Sequence, residues 1–488
     1  MSDLDATKVD RTKISDHTMN ESQFKEPTLE ASMPQQTSHT LWKIFISAVA
    51  IRWGYDIALY TLMGRDGLMG ADSYGYLAGA EAMAKDLLNG TLRGWAWLGS
   101  DLGVMPLYPW FLTLNVVLFG SLASLTSAMM QGLIDGATCL LIFQIAKSID
   151  PRAASPAAIA AAINPTQIVV SGLIYNDTIF VFFAVVSLWA GLAWIARPAW
   201  SLALMATVGL GLAALDRIVI APWVPVFACA LLALRFFAVR LRPGHAVQMA
   251  IVGIVFCVII SPLVGRNVSQ FGSWSLTPQA GGHLALWVVP LVREAKDGTL
   301  WEKGSAEMER VKIARYGPAP RNPFVNSQQF AEIGREELGK LGMVAVATAW
   351  IRGAVINLVA PAVVISPPVA RLPRTGFFST PGNSLSGKVV NFLFHSDNAR
   401  FAWILIVGIA GLGLVRAIQL LGFGVAVTDR AAWPALAVMI LWTGFILAAN
   451  GPIASPKYRL PIEPVLCVLT GIGLSSIGRK RERRIASA

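Results

Sequence analysis

Three features of the 488-residue sequence predict an all-α integral membrane protein. Only 14% of its residues are charged and 55% are hydrophobic, whereas soluble domains carry about 25% charged residues. The apolar residues fall in continuous runs such as 157–173, 179–195 and 431–449, which approach the ~20 residues needed to cross a bilayer core. The cationic excess behind the net charge of +11 lies between these runs or just beyond the last one, so it reads as membrane topology and not as a nucleic-acid footprint.

Residues 1–40 are polar and carry neither an apolar core nor a cleavage site, which predicts a disordered cytoplasmic tail and no signal peptide. Spans are expected at 41–62, 122–146, 157–174, 178–196, 200–215, 218–238 and 246–264, and again at 401–421, 431–449 and 460–477. Residues 41–264 then form a core transmembrane module and 401–478 a C-terminal group of helices. Lys147 and Arg152, Arg197, Arg235, Arg240 and Arg242, and the basic cytoplasmic tail at 479–488 fall on one face if the N-terminus is cytoplasmic. Segment 341–400 breaks the pattern. Its first part, 341–366, is apolar but contains Arg352 and Pro361, so it is expected to be interfacial or re-entrant, or to pair with a short crossing near 386–397. The total is ten to twelve spans. All four cysteines, Cys139, Cys229, Cys257 and Cys467, sit in apolar runs, which predicts no disulfide and no metal-ligand spacing.

Two stretches must lie outside. In the first loop, 64–120, residues 74–88 place Tyr76, Leu77, Ala80, Met83, Ala84, Leu87 and Leu88 on one helical face, and Glu81 and Lys85 as an i,i+4 pair on the other. This is an amphipathic helix suited to lie along the membrane. Residues 106–119 predict a second interfacial helix. The large outer loop, 265–340, has room for one or two short helices but not for a separate catalytic domain.

Ionisable groups at a membrane boundary are functional candidates, and the outer boundary collects them. Asp72 follows the first span and Asp177 ends the third, which puts both carboxylates on one face. Asp216 and Arg217, Arg266 and Asn267, and Lys457, Tyr458 and Arg459 join them. Anions and cations at one membrane surface suit a charged lipid headgroup and a hydroxyl acceptor. When a sugar leaves a lipid phosphate the leaving group is already a stable anion. One base for the acceptor proton and cations for the phosphate are then sufficient. Asp72 is the expected base, and Arg266, Arg459 and Lys457 the expected phosphate contacts.

The ordered motifs carry a resemblance. Asp72 to Tyr76 with Ala80, Leu87 and Gly90, followed by Pro106 to Leu112 and Leu118 to Gly120, resembles the first outer loop of GT-C glycosyltransferases of the protein mannosyltransferase and aminoarabinose transferase type. Asn164-Pro165 with Tyr175, Asn176 and Asp177 resembles their second outer loop. Arg266-Asn267 with Gly272, Gly281 and Gly282 resembles the start of their large loop, and 457–464 resembles their RYRLPxxP element. The resemblance covers about 50–480. It implies a GT-C fold with interfacial helices and one large periplasmic loop, and a polyprenyl-phosphate sugar donor whose chain lies near the 74–88 helix. It further implies a lipid, glycan or protein acceptor and a place in the bacterial inner membrane with the active site facing the periplasm. Asp72 takes the place of the catalytic aspartate and Asp177 that of the second acid. Tyr76, Tyr108, Asn176, Asn267 and His283 are candidate substrate contacts. The sequence departs from many relatives at Ser73, Trp110 and Lys457. No cofactor is fixed by this pattern, a divalent cation stays open, and no metal ligand is assigned.

Plainer readings stand beside these. Asp72 and Asp177 suit helix N-caps. Arg266, Lys457, Arg459, Trp274 and Trp287 suit headgroup anchors. Asp135, with Arg52 and Asp56, suits a structural charge pair, and a lone loop histidine such as His283 is most simply a surface residue. The alternative functions are a transporter or flippase of lipid-linked sugars, which needs broken midplane spans and inverted repeats, and an O-antigen polymerase or ligase.

Overall fold

The computed structural model describes residues 35–238, 241–373, 380–382, 384–395 and 399–486. Residues 1–34 of the expected N-terminal tail lie outside them. Every regular element among the described residues is helical.

The first half comprises α1 (Gln35–Met63), α2 (Ser73–Leu88), α3 (Leu107–Phe119), α4 (Ala123–Ile149), α5 (Ala154–Ala162), α6 (Pro165–Ser171), α7 (Asp177–Ala196), α8 (Trp200–Asp216), α9 (Trp223–Ala238) and α10 (Pro243–Phe271). A second group, α11 (Gln279–His283), α12 (Val289–Asp297), α13 (Trp301–Tyr316) and α14 (Pro323–Leu341), is followed by α15 (Met343–Val359), α16 (Pro367–Ala370) and α17 (Leu385–Phe394). The chain closes with α18 (Ala399–Thr428), α19 (Trp433–Asn450) and α20 (Glu463–Ala486).

All ten expected spans coincide with helices, but among the described residues seven helices are long and apolar enough to cross a membrane, or up to nine if two bent pairs each count once. The shortfall from ten to twelve has local causes. Span 41–62 lies in α1, which carries Lys43, Arg52 and Asp56. Span 157–174 is split into α5 and α6 with a 47° bend. Pro165 has no N–H to continue the ladder, and the Asn164 side chain restarts the helix by accepting from the Thr166 N–H at 2.8 Å. Span 200–215 is α8, at 17 residues. Of the short crossing expected near 386–397, residues 396 and 397 lie outside the described residues, and the described part falls in α17, with 10 residues. Such a helix is about 15 Å long, half of a ~30 Å hydrocarbon core, so it does not cross alone. α14 and α15 meet at 103°.

Buried polar groups hold the bundle together. Arg52 Nε donates to Asp135 Oδ2 at 2.6 Å, and the Arg52 guanidinium also donates to the Ala161 and Ala162 carbonyls. Gln167 donates to the other Asp135 oxygen at 3.0 Å, so Asp135 is a satisfied structural acid. Lipid gives helices no hydrophobic drive to associate, so close backbone approach matters more. α18 and α20 meet through Gly422, where an added Cβ would sit 1.9 Å from the Leu469 carbonyl oxygen.

Several first-loop expectations need adjustment. α2 buries Leu77, Ala80, Met83 and Ala84 as expected, but Leu88 is exposed. Glu81 pairs with Arg65 at 3.3 Å and not with Lys85. Segment 265–340 holds more structure than one or two short helices. α11 to α14 pack around Ala285, Val289, Met308, Phe330 and Ile333, and Arg315 pairs with Glu332 and Glu336 on the surface. The four cysteines are unpaired.

Candidate active site at one end of the bundle

Lys457 and Arg479 mark opposite ends of the final apolar stretch, Pro456–Arg479. Arg479 pairs with Asp150 at its end. The candidate site gathers at the other end, where α2, the turn between α6 and α7, the end of α8 and the short helix 456–462 converge.

Lys457 Nζ donates to Asp72 Oδ2 at 2.6 Å. Asp72 stands at the N-cap of α2 but makes no side-chain cap bond, so its carboxylate is directed to the lysine and to solvent. Its side chain is 51% exposed and that of Lys457 is 16% exposed. The ammonium also lies over the Tyr175 ring, 4.7 Å from its centroid, and near the Tyr458 ring. Tyr175 is seated against Gly70, where a Cβ would meet the phenol oxygen at 2.0 Å. A bond from Ile174 N–H to the Leu68 carbonyl, 3.0 Å long, ties the same two loops together.

The second pair is Asp177 and Arg217, joined by a salt bridge. Asp177 opens α7 without capping it through its side chain, and Arg217 follows the last residue of α8. Asn176 donates to the Asp216 carbonyl at 2.9 Å, bracing this corner. Tyr76 lies between the pairs. Burial is the main cause of its raised phenol pKa, and the charges of Arg217, Asp177, Asp72 and Lys457 all act on it. Its ring packs edge-on to Tyr108 at 5.2 Å. Tyr108 is fully buried and donates to Gln131, which itself holds the Ser171 and Leu173 carbonyls. Tyr108 therefore supports the site from beneath.

His283 ends α11. The residue is exposed, yet the packing around it, and after that the Arg217 guanidinium, lower its pKa. It stands at the start of a π-helical turn, Leu284–Val288, and stacks on Trp287.

The structure treats the other two expected phosphate contacts differently. Arg459 is 1% exposed and fully engaged: it pairs with Glu463, donates to Thr166 Oγ1 at 2.7 Å, and donates to the Asn357 and Ala360 carbonyls at 2.9 and 2.7 Å. A guanidinium committed to four protein acceptors is a brace, not an open anion site. Arg266 is also buried, because α10 continues to Phe271 and its side chain turns to Asn267 and the Leu98 and Gly99 carbonyls. Asn267 holds the Ser275 and Leu276 carbonyls. Both residues fix loops around the site. Arg217 and Tyr175, in contrast, join the site without a distinctive signal: the sequence marks Arg217 only as one more boundary charge and Tyr175 only as part of the second-loop motif.

Among the described residues no three of His, Cys, Asp and Glu converge to hold a metal ion. Asp72 and Asp177 each face their own cation.

Residues 104–264 match the family of dolichyl-phosphate-mannose-protein mannosyltransferases. This segment includes Tyr108, Asp177 and Arg217 and stops short of Asp72 and Lys457. No curated protein matches the chain by sequence. Among solved structures, the oligosaccharyltransferase AglB from Archaeoglobus fulgidus, in complex with an inhibitory peptide and a dolichol-phosphate, has a TM-score of 0.53 at 16% identity over 93% of this chain and 52% of its own. Its apo form gives 0.51 and 17%, over 91% and 51%. ArnT from Cupriavidus metallidurans bound to undecaprenyl phosphate is further away, at 0.37 and 15% over 89% and 77%. The chain thus spans about half the length of the archaeal enzyme. The fold is that of GT-C membrane proteins, and residues 104–264 are similar to the mannosyltransferase family.

Proposed function

We propose that this chain transfers a sugar from a polyprenyl-phosphate donor to a hydroxyl of a lipid, glycan or protein acceptor at the periplasmic face of a bacterial inner membrane. The observation that carries the reading is the Asp72–Lys457 pair, whose carboxylate is exposed, beside the Asp177–Arg217 pair, whose carboxylate is buried. In the step we envisage, the acceptor oxygen forms a bond to the anomeric carbon while Asp72 takes its proton. The bond from that carbon to the phosphate oxygen breaks, and the electron pair leaves on the phosphate, opposite the Lys457 ammonium. The same pair would also order the steps: Lys457 engages Asp72, and an arriving phosphate competes for the ammonium and frees the carboxylate. Arg217 and His283 line the acceptor side, with Tyr76 between the pairs. The isoprenoid chain lies along the apolar side of α2. Archaeal AglB, whose fold is similar, was solved with dolichol-phosphate bound, which supports a lipid-linked donor.

The broken α5–α6 span is a feature that would favour a transporter. Asn164 and Thr166 at this break are instead tied to Glu463, to which both donate at 2.9 Å, on the Arg459 brace. The purified full chain in nanodiscs, given a panel of polyprenyl-phosphate sugars and membrane extract, should release free polyprenyl phosphate from at least one donor together with a sugar-bearing acceptor. Donor moved across a vesicle membrane without any release would replace this reading with the flippase.

A further inference from the structure

α5, α18, α20 and the turn at 361–363 enclose a cavity of about 700 Å³. Its wall is mostly hydrocarbon, with Ile159, Ile163, Val407, Leu412, Val415 and Leu474 among its residues. Asp72, Asp177 and Lys457 do not line it, so an occupant is not placed for sugar transfer. Three ionisable side chains other than cysteine do line it: Arg416, Arg459 and Glu463.

Glu463 is taken by Arg459 through their salt bridge. Arg416 therefore faces the cavity with no carboxylate of its own. Its Nε donates to the Leu358 carbonyl at 3.1 Å and its Nη1 to Gln419. Gln419 is fixed in turn by Thr470 at 3.1 Å. The remaining nitrogen, Nη2, is buried and has no partner among the described residues. A buried polar group left unpaired is costly, and more so when charged. In a lipid environment, where water does not satisfy it, such a group needs an acceptor from elsewhere.

We propose that this groove holds one anionic phospholipid of the bilayer, with its phosphate on Arg416 and an acyl chain along α5 and α18. Two guanidinium groups against one carboxylate leave one positive charge unmatched, and a phosphodiester supplies one negative charge. A monoester such as free polyprenyl phosphate carries about −1.5 to −2 and fits that balance less well. The inference does not depend on the transfer reading, since none of the residues assigned to transfer forms the groove.

The test is retention of lipid by the full-length protein, purified in mild detergent, stripped of lipid, and titrated with phosphatidylglycerol, phosphatidylcholine or undecaprenyl phosphate under native mass spectrometry. Wild type should retain one phosphatidylglycerol at a concentration at least about tenfold below that needed for phosphatidylcholine, a preference of about 1.4 kcal/mol. Arg416→Gln should erase the preference. Gly411→Leu is the second variant. Gly411 lines the groove and a Cβ there meets nothing within 4 Å, so the larger side chain fills the cavity without displacing the helix or any charge. It should weaken phosphatidylglycerol retention about tenfold with unchanged melting, and it decides the matter if Arg416→Gln does not fold. Equal retention of the two phospholipids, stronger retention of undecaprenyl phosphate, or full phosphatidylglycerol retention by Gly411→Leu would each overturn the proposal.

Discussion

Lys457 and Asp72 are 385 positions apart in sequence, and the ammonium of one donates to the carboxylate of the other at 2.6 Å. The bond is short but exposed on the Asp72 side. Exposed pairs contribute only about 0–1 kcal/mol, so conformational stability does not account for it. A few residues along the same turn, Arg459 and Glu463 form a pair that is almost wholly buried. The two pairs therefore separate site from scaffold.

Substitution should separate them in the same way. Lys457→Met should leave the melting temperature nearly unchanged and lower turnover by about 10²–10³, the range expected when one charge-stabilising group is removed. Arg459→Met should instead destabilise by about 3–5 kcal/mol, because Glu463 is left buried without its partner. Denaturation in detergent beside a polyprenyl-phosphate release assay reads both quantities. Equal melting losses for the two variants would refute the distinction.

Gly70 and Tyr175 give a steric test. A Cβ at position 70 falls 2.0 Å from the Tyr175 phenol oxygen, so Gly70→Ala must displace the ring that flanks Lys457. Overpacking of this kind costs about 1–3 kcal/mol. Adding Tyr175→Ala should restore the melting temperature without restoring turnover. Recovery of both would show that Tyr175 has no part in positioning Lys457.

His283 supplies a pH test. Its pKa is held down by the packing around it and then by Arg217, so the neutral imidazole is the favoured form in the folded protein. A lowered folded pKa means that the unfolded chain binds more protons as the pH falls toward and below the ordinary histidine value of about 6.5. Stability should accordingly fall on acidification through that window, and His283→Gln should remove that part of the loss. Imidazole NMR, assigned with the same variant among the five histidines of the sequence, should place His283 below the ordinary value, with Arg217→Gln raising it. A value above 6.5 would contradict the geometry.

Much of this was legible in the sequence. Apolar runs located every expected span as a helix, because lipid forces the backbone to satisfy itself locally. Asp72 and Asp177 were visible as acids at span ends of equal parity. What was not legible was the pairing. Asp177 finds Arg217 across α7 and α8, and Asp72 finds Lys457 across nearly the whole chain, and neither spacing has a local signature. Boundary cations also look alike in sequence. Burial, which separates Arg459 and Arg266 from Lys457, is a property of packing. The break at Asn164–Pro165 is present as a dipeptide, but its tie to Glu463 depends on a helix some 300 positions away.

The central claim is that Asp72 is the group that activates the acceptor. The most direct measurement is the release of polyprenyl phosphate by Asp72→Asn beside wild type, each in nanodiscs with the active donor and acceptor extract and with melting curves recorded in parallel. Loss of turnover by at least about 100-fold with unchanged melting is the predicted result. Wild-type turnover in a folded Asp72→Asn variant would contradict it.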